Sequence, residues 1–184
     1  KYPITEYQFL QFVIDGGYEQ SELWCYNSIK WLQNNNISMP VYWIKKNGKY
    51  FKFINGVTYD LKTNLPMMNI SYYEAQAYCR WRGVRLPTET EFEYVSTNGG
   101  NTLYPWGDSK VCSEKCNINY RNFVVSVKKF QNGNNFRGVS QLIGNIWEWC
   151  QEPIYPYDGF KIDPVYREMS YPFFGFKRIC KGGC

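Results

Sequence analysis

Large aromatic side chains are spread through a second half of the chain that otherwise has the composition of loops. From Gly99 onward Asn, Gly, Ser and Pro recur every few residues, yet Trp106, Trp147 and Trp149 stand among them. Such side chains bury their large apolar area only if the surrounding loops are ordered and packed. We therefore predict long, well-anchored loops, and we expect Trp81, Trp106 and Trp149 to pack the centre.

Three short helices are predicted from capping boxes, in which a Ser or Thr and a Glu or Gln three residues later satisfy free N–H groups. The pairs are Thr5 with Gln8, Ser71 with Glu74, and Thr88 with Glu91. Asn47-Gly48 lies between two segments rich in aromatic and β-branched residues, 41–46 and 49–54, and predicts an antiparallel hairpin. The expected fold is α+β, in a single domain over residues 1–184.

Composition excludes several functions and favours one compartment. The chain has no His, so it cannot by itself form a Ser–His or Cys–His pair or a His-ligated metal site. A net charge of +5 without long basic runs argues against a nucleic-acid partner, and no apolar run is long enough for a membrane helix. Seven cysteines cannot all pair within the chain. Because the chain starts without an initiator Met or a signal peptide, we expect a cytoplasmic piece of a longer polypeptide, truncated at both ends.

Four motifs stand in order along the chain. They are Arg85-Leu86-Pro87-Thr88-Glu89-Thr90-Glu91, Tyr104-Pro105-Trp106-Gly107, Gly144-Asn145-Ile146-Trp147-Glu148-Trp149 and Lys181-Gly182-Gly183. Glu89 and Glu91 suit the positive end of a helix, and Arg85 has carboxylates within reach for a bidentate pair. Over essentially all 184 residues this order resembles the formylglycine-generating-enzyme (sulfatase-modifying factor) superfamily. The resemblance implies a C-type-lectin-like α+β fold with short helices, a few antiparallel strands and long ordered loops.

The flanking residues resemble one branch, the ergothioneine-type sulfoxide synthases, which have ovothiol- and selenoneine-forming relatives. The matching segments are Gly16-Gly17-Tyr18, Glu22-Leu23-Trp24, Pro40-Val41-Tyr42-Trp43, Tyr155-Pro156-Tyr157-Asp158-Gly159-Phe160 and Asp163-Pro164-Val165-Tyr166. This resemblance implies an oxidoreductase that joins a thiol to the imidazole carbon of trimethylhistidine, using iron(II) and dioxygen. It also implies that histidines on a preceding helical domain hold the iron, so that this chain alone is inactive.

The resemblance also implies site residues. Tyr166 and Tyr171 are the candidates for a tyrosine near the metal, and Met169 is an alternative occupant of that position. Trp147 is a candidate to border a pocket for the trimethylammonium group, because aromatic faces attract such cations. The alternative for Trp147 is a role as a core residue, as we expect for Trp81, Trp106 and Trp149.

Several alternatives stay open. A possible calcium site comprises Gln141, Gly144, Ile146 and Glu148. The alternative for Glu148 is a buried ion pair with an Arg such as Arg85 or Arg178.

Two further functional classes are retained, a formylglycine-generating oxidase acting on a sulfatase cysteine with copper, and a non-catalytic lectin-like binding or structural module. Cys180 and Cys184 are interpreted as ordinary thiols, as are Cys112 and Cys116, because no further ligand accompanies either pair.

Overall fold

The structure is a computed structural model that describes residues 1–118 and 123–183. It has the predicted α+β composition, with short elements separated by long loops. The described helices are α1 (Glu6–Ile14), α2 (Tyr26–Asn35), α3 (Tyr72–Arg82) and α4 (Glu89–Ser96), with short 3₁₀ turns at Ser21–Leu23, Gln131–Gly133, Arg167–Met169 and Tyr171–Phe173. The described strands are β1 (Trp43–Lys46), β2 (Lys49–Ile54), β3 (Val57–Asp60), β4 (Glu148–Pro153) and β5 (Arg178–Lys181). None of these helices combines the length and apolar character needed to cross a membrane.

The three predicted capping boxes are confirmed at the starts of α1, α3 and α4. At each, the hydroxyl of Thr5, Ser71 or Thr88 accepts from a backbone N–H three residues later, and that residue's side chain accepts in return. Helix α2 was not predicted. Its N-cap residue is Cys25, whose side chain makes no capping hydrogen bond, so the helix start has no sequence signature.

Strands β1, β2 and β3 form an antiparallel meander, which extends the predicted hairpin by one strand. Asn47 and Gly48 both have positive φ (49° and 76°), as the predicted turn requires. The β2–β3 turn repeats the same chemistry with Asn55 and Gly56, a signal that would have predicted β3. A separate antiparallel pair, β4 with β5, sets Trp149 opposite Cys180.

The main hydrophobic core lies between α1, α3 and the segments around them. Phe9 and Phe12 are fully buried there, and Trp24 and Trp43 are 5% and 6% exposed. A second cluster joins α4 to β4 through Phe92, Leu142 and Cys150.

The expectation for the centre is therefore wrong in part. Trp81 packs against the main core but is only half-buried, and Trp149 is also half-buried. Trp106 lies in neither cluster. Its ring stacks on Tyr104 with the two centroids 5.3 Å apart.

Candidate functional site

A cavity of about 460 Å³ opens beside the segment between Gly144 and Trp149. We call it the Trp147 cavity. Its walls are mostly apolar and come from the first residues, α3, the segment before α4 and the start of β4. Its lining residues include Ile70, Arg85, Asn145, Trp147, Glu148 and Trp149.

Asn145 fixes the turn that presents these tryptophans to the cavity. Its backbone has a left-handed φ of 70° and its side chain is 5% exposed. Its Oδ1 accepts from Val125 N at 2.9 Å and Asn117 Nδ2 at 3.1 Å. Its Nδ2 donates to Val125 O at 3.1 Å and Gln141 Oε1 at 2.8 Å. All four bonding positions of the amide are therefore used, which makes Asn145 a positioning residue for the turn.

Gly144 is required in the same turn because the chain passes close to another backbone segment. A Cβ at Gly144 would lie 2.5 Å from Asn117 O, and the residue's φ is 82°. A side chain would therefore force the two segments apart or strain the left-handed backbone.

The two tryptophans of the motif have different environments. Trp149 is anchored, since its Nε1 donates to Ile70 O at 3.1 Å and its ring packs edge-on against Tyr72. Trp147 is 61% exposed at the cavity rim, with one side of its indole against Gly183. The cavity thus has one rigid aromatic wall and one aromatic edge open to a ligand.

Glu148 is half-buried in the cavity wall and has no ion-pair partner among residues 1–118 and 123–183. Burial raises the pKa of its carboxyl to about 7. Its cross-strand neighbour on β5 is Lys181, whose Nζ instead contacts Glu89 Oε1 at 2.6 Å and Glu93 Oε1 at 2.7 Å. Although burial lowers the pKa of Lys181, these two carboxylates raise it well above its usual range.

The expected ion pair between Glu148 and Arg85 or Arg178 is therefore wrong. Arg85 makes a bidentate pair with Glu91, with Nη1–Oε2 and Nη2–Oε1 distances of 2.7 and 2.6 Å, which confirms the predicted contact with a carboxylate. Through this hydrogen-bonded pair, the pKa of the exposed Glu91 carboxyl falls to about 2. The guanidinium of Arg178 lies 4.5 Å from the centre of the Tyr72 ring.

A second cavity of about 480 Å³ lies beside a long excursion between β4 and β5. We call residues 154–177 the aromatic loop. Its two ends are joined by hydrogen bonds from Ile154 N to Lys177 O (2.8 Å) and from Gly175 N to Ile154 O (2.9 Å). Tyr157 Oη donates to Glu89 Oε1 at 3.0 Å, which ties the loop to the start of α4.

The candidate tyrosines lie on this loop and not in the Trp147 cavity. Tyr166 and Tyr171 are 64% and 56% exposed and line neither of the two cavities, whereas Met169 lines the second one. The Arg167 guanidinium lies 5.2 Å from the Tyr171 ring centre. None of these three residues therefore lines the cavity beside Trp147, and their roles stay predictions.

The groups proposed for calcium, which are the side chains of Gln141 and Glu148 and the backbone oxygens of Gly144 and Ile146, do not form a complete site for that ion as arranged. Gln141 Oε1 accepts from Asn145, and its Nε2 donates to Ser126 O at 2.9 Å. Gly144 O accepts from Ile146 N at 2.9 Å. Because calcium prefers six or more oxygens, several of them anionic, one carboxylate together with the backbone oxygens of Gly144 and Ile146 leaves the set incomplete.

The described residues offer no alternative metal centre. Among residues 1–118 and 123–183, no three His, Cys, Asp or Glu side chains lie close enough to hold one ion, so these side chains do not fit an iron site either. The six cysteines in this part are free thiols, and burial raises the pKa of Cys180. Cys184, the other member of the C-terminal pair, lies outside the described residues.

Comparisons with known proteins place these features in context. Residues 1–184 match the family model of the sulfatase-modifying factor enzyme 1-like domain. The chain is 32% identical over 187 residues to "Hercynine oxygenase" of Mycobacterium tuberculosis, covering 98% of the chain and 43% of that protein. The protein of the same name from Mycolicibacterium thermoresistibile is 30% identical, with 98% and 42% covered. "Formylglycine-generating enzyme" of Streptomyces coelicolor is 31% identical over 162 residues, with 77% and 49% covered. The chain therefore spans less than half the length of these relatives.

Proposed function

Because the chain belongs to the family of sulfatase-modifying factor enzyme 1-like domains, we propose that it forms the substrate-pocket part of a larger oxidative enzyme of the hercynine-oxygenase type. One observation carries this choice within the family. Similarity to the hercynine oxygenases extends over 98% of the chain, whereas similarity to the Streptomyces formylglycine-generating enzyme covers 77%.

The proposed reaction joins a thiol, cysteine or γ-glutamylcysteine, to the imidazole carbon of trimethylhistidine. The thiol S–H and the imidazole C–H are lost, a C–S bond forms, and one oxygen atom of dioxygen becomes the sulfoxide while the other leaves as water. Iron(II) would supply the dioxygen chemistry. We propose that the iron is held by an N-terminal helical domain of the same polypeptide, because the described side chains do not fit it.

In this proposal the chain's own residues bind and orient substrate. The open face of Trp147 receives the trimethylammonium group, which aromatic faces attract by roughly 0.5–2 kcal/mol. The aromatic loop faces outward with Tyr166, Met169 and Tyr171 exposed, an arrangement that suits a pocket completed by another domain. One of the two tyrosines would then lie near the reacting atoms.

The test uses the full-length natural polypeptide supplied with iron(II), dioxygen, trimethylhistidine and each thiol in turn. Mass spectrometry should detect a product that combines both substrates, less two hydrogen atoms and plus one oxygen atom. If no thiol gives this product but the protein converts a cysteine peptide to formylglycine with copper, the formylglycine-generating alternative replaces the proposal.

Two further variants test the tyrosine assignment separately. Tyr166→Phe or Tyr171→Phe should lower kcat, whereas Tyr26→Phe, which removes the hydroxyl of an exposed tyrosine on α2, should not. If all three variants keep the wild-type rate, neither candidate tyrosine takes part in the reaction, although the assignment of the domain can still stand.

A further inference from the structure

Two free thiols, Cys112 and Cys116, lie at the two ends of one tight turn. Cys112 O accepts from Lys115 N at 3.1 Å and from Cys116 N at 3.4 Å. Cys116 Sγ lies 3.7 Å from the same carbonyl oxygen. A turn closed by such a bond sets the two Cα atoms about 6 Å apart, which is a separation that a disulfide spans.

The turn is held in place through Lys115. The ammonium group of Lys115 contacts Ser109 Oγ and lies 5.5 Å from the centre of the Trp106 ring. Its carbonyl packs closely against Gly133, where a Cβ would lie 1.8 Å from Lys115 O. Because the backbone between the two thiols is already ordered, joining them costs little further conformational entropy.

The two thiols differ in their access to solvent. Cys112 is half-buried, whereas Cys116 is 3% exposed and burial raises the pKa of its thiol. The thiolate is the form of cysteine that reacts with oxidants, so a small oxidant reaches and attacks Cys112 first. Cys116 then lies beside it as the resolving thiol.

We propose that Cys112 and Cys116 form a redox-active pair, which a hydroperoxide converts into an intramolecular disulfide that restrains the turn before Asn117. The Cys112 thiolate attacks the hydroperoxide, whose O–O bond breaks, so that Cys112 becomes a sulfenic acid and an alcohol leaves. The Cys116 sulfur then attacks the Cys112 sulfur. The S–S bond forms, and the sulfenic hydroxyl leaves as water with the Cys116 proton. The two thiols are thereby oxidised by two electrons and the hydroperoxide is reduced.

The position of this pair connects it to the turn beside the Trp147 cavity. Asn117 directly follows Cys116, and its carbonyl accepts from Asn145 N at 3.0 Å. Its Nδ2 also donates to Asn145 Oδ1 at 3.1 Å. A covalent link next to Asn117 therefore restrains a segment that supports Asn145. This inference does not depend on the proposed reaction.

Peptide mapping of the full-length natural polypeptide tests the link, because trypsin cleaves after Lys115 and separates the two cysteines. The protein is treated with excess tert-butyl hydroperoxide in the presence of a chelator, and its remaining thiols are alkylated at acidic pH before denaturation and digestion. Peptides 111–115 and 116–121 should then be found joined, with the loss of two hydrogen atoms, and dithiothreitol should separate them. Their absence as a joined pair, or a disulfide from either cysteine to a different one, would overturn the proposal.

Two variants test the order of the steps. Cys116→Ser should stop the reaction at the Cys112 sulfenic acid, which dimedone labels, whereas wild type should give little of this adduct. The matched control is Cys25→Ser, which removes another half-buried thiol, at the N-cap of α2, and it should leave the joined peptides unchanged. Absence of the dimedone adduct in Cys116→Ser would contradict Cys112 as the first thiol to react.

Hydrogen exchange measures the effect on the neighbouring turn. In the oxidised wild type the Asn145 amide, which donates to Asn117 O, should exchange about tenfold more slowly than in the reduced protein. Cys116→Ser should show no such difference after the same treatment. A disulfide that forms but leaves this exchange rate unchanged would refute the restraint on the turn.

Discussion

Asn145 is the residue whose replacement tests the architecture of the site most directly. Its side chain forms four hydrogen bonds inside the protein, to both backbone groups of Val125 and to the side chains of Asn117 and Gln141. Asn145→Ala removes all four at once and leaves their partners buried without replacements. A typical intramolecular hydrogen bond contributes about 1 kcal/mol net, so the loss should amount to about 4 kcal/mol.

The left-handed backbone adds a cost that must be separated from the hydrogen bonds. Ala tolerates this conformation less well than Asn, by roughly 1 kcal/mol. Asn47 is the matched control, because it has a φ of 49° and its side chain is exposed in the β1–β2 turn. Asn47→Ala should lower the free energy of unfolding only through the strain of the left-handed backbone. The free energy of unfolding should therefore fall by about 4 kcal/mol more for Asn145→Ala than for Asn47→Ala.

Urea denaturation followed by tryptophan fluorescence and far-UV circular dichroism measures both variants. Asn145→Asp gives a second comparison, since it keeps the accepting oxygen but sets a carboxylate against Val125 O and Gln141 Oε1. It should destabilise at least as much as Asn145→Ala. If Asn145→Ala and Asn47→Ala differ by less than about 1 kcal/mol, the four-bond network does not hold the turn as argued.

Three further outcomes follow from the same region. Gly144→Ala should lower the free energy of unfolding by about 2 kcal/mol more than Gly48→Ala. Gly48 also has a positive φ, but a Cβ there would meet no atom within 4 Å. Equal losses of stability in thermal denaturation would contradict the contact with Asn117 O. Because burial raises the pKa of Glu148 from 4.5 to about 7, the unfolded chain loses this proton first as pH rises. Stability should therefore fall between pH 4.5 and 7, by up to about 3 kcal/mol, and Glu148→Gln should remove this part of the dependence in urea titrations at pH 5 and 8; a parallel decline in the variant would assign it to other groups. Millimolar calcium should leave Tm unchanged, whereas an occupied site would stabilise by about 2.7 kcal/mol at a hundredfold excess over Kd, which a thermal shift would reveal.

The parts of the fold that sequence predicts are those specified by neighbouring residues. A capping box places a hydroxyl and a carboxylate or amide three residues apart, so the starts of α1, α3 and α4 are visible in the sequence. The Asn47-Gly48 turn is equally local. Helix α2 lacks such a signature, and the β4–β5 pair joins residues about thirty positions apart, so neither was predicted.

The candidate site was predictable in its residues but not in their partners. The sequence motifs identify Arg85, Glu91 and Glu148 as functionally or structurally important. The Arg85–Glu91 pair is local, because it joins the first turn of α4 to the segment just before that helix. Whether Glu148 meets a cation depends on where distant side chains go. Lys181 is directly opposite Glu148 in the sheet, yet its ammonium group reaches α4 because two carboxylates there attract it more strongly than one.

The absence of Tyr166 and Tyr171 from the lining of the Trp147 cavity also depends on contacts between distant parts of the chain. Chain order places all three in the last forty residues, but the aromatic loop leaves β4 at Ile154 and returns at Lys177. None of the residues between these two lines the Trp147 cavity. A prediction of shared function from proximity in sequence could not foresee this excursion.

The two ends of the aromatic loop are hydrogen-bonded to each other, and this affects how the sequence of such a domain can vary. Since Ile154 and Lys177 are already hydrogen-bonded to each other, the residues between them can be exchanged as one cassette without rebuilding β4 or β5. Doubling the length of such a loop costs only about 0.6 kcal/mol in closure entropy. Natural variation, or a designed graft, can therefore rewrite the outward surface of this domain while the cavity beside Trp147 keeps its walls.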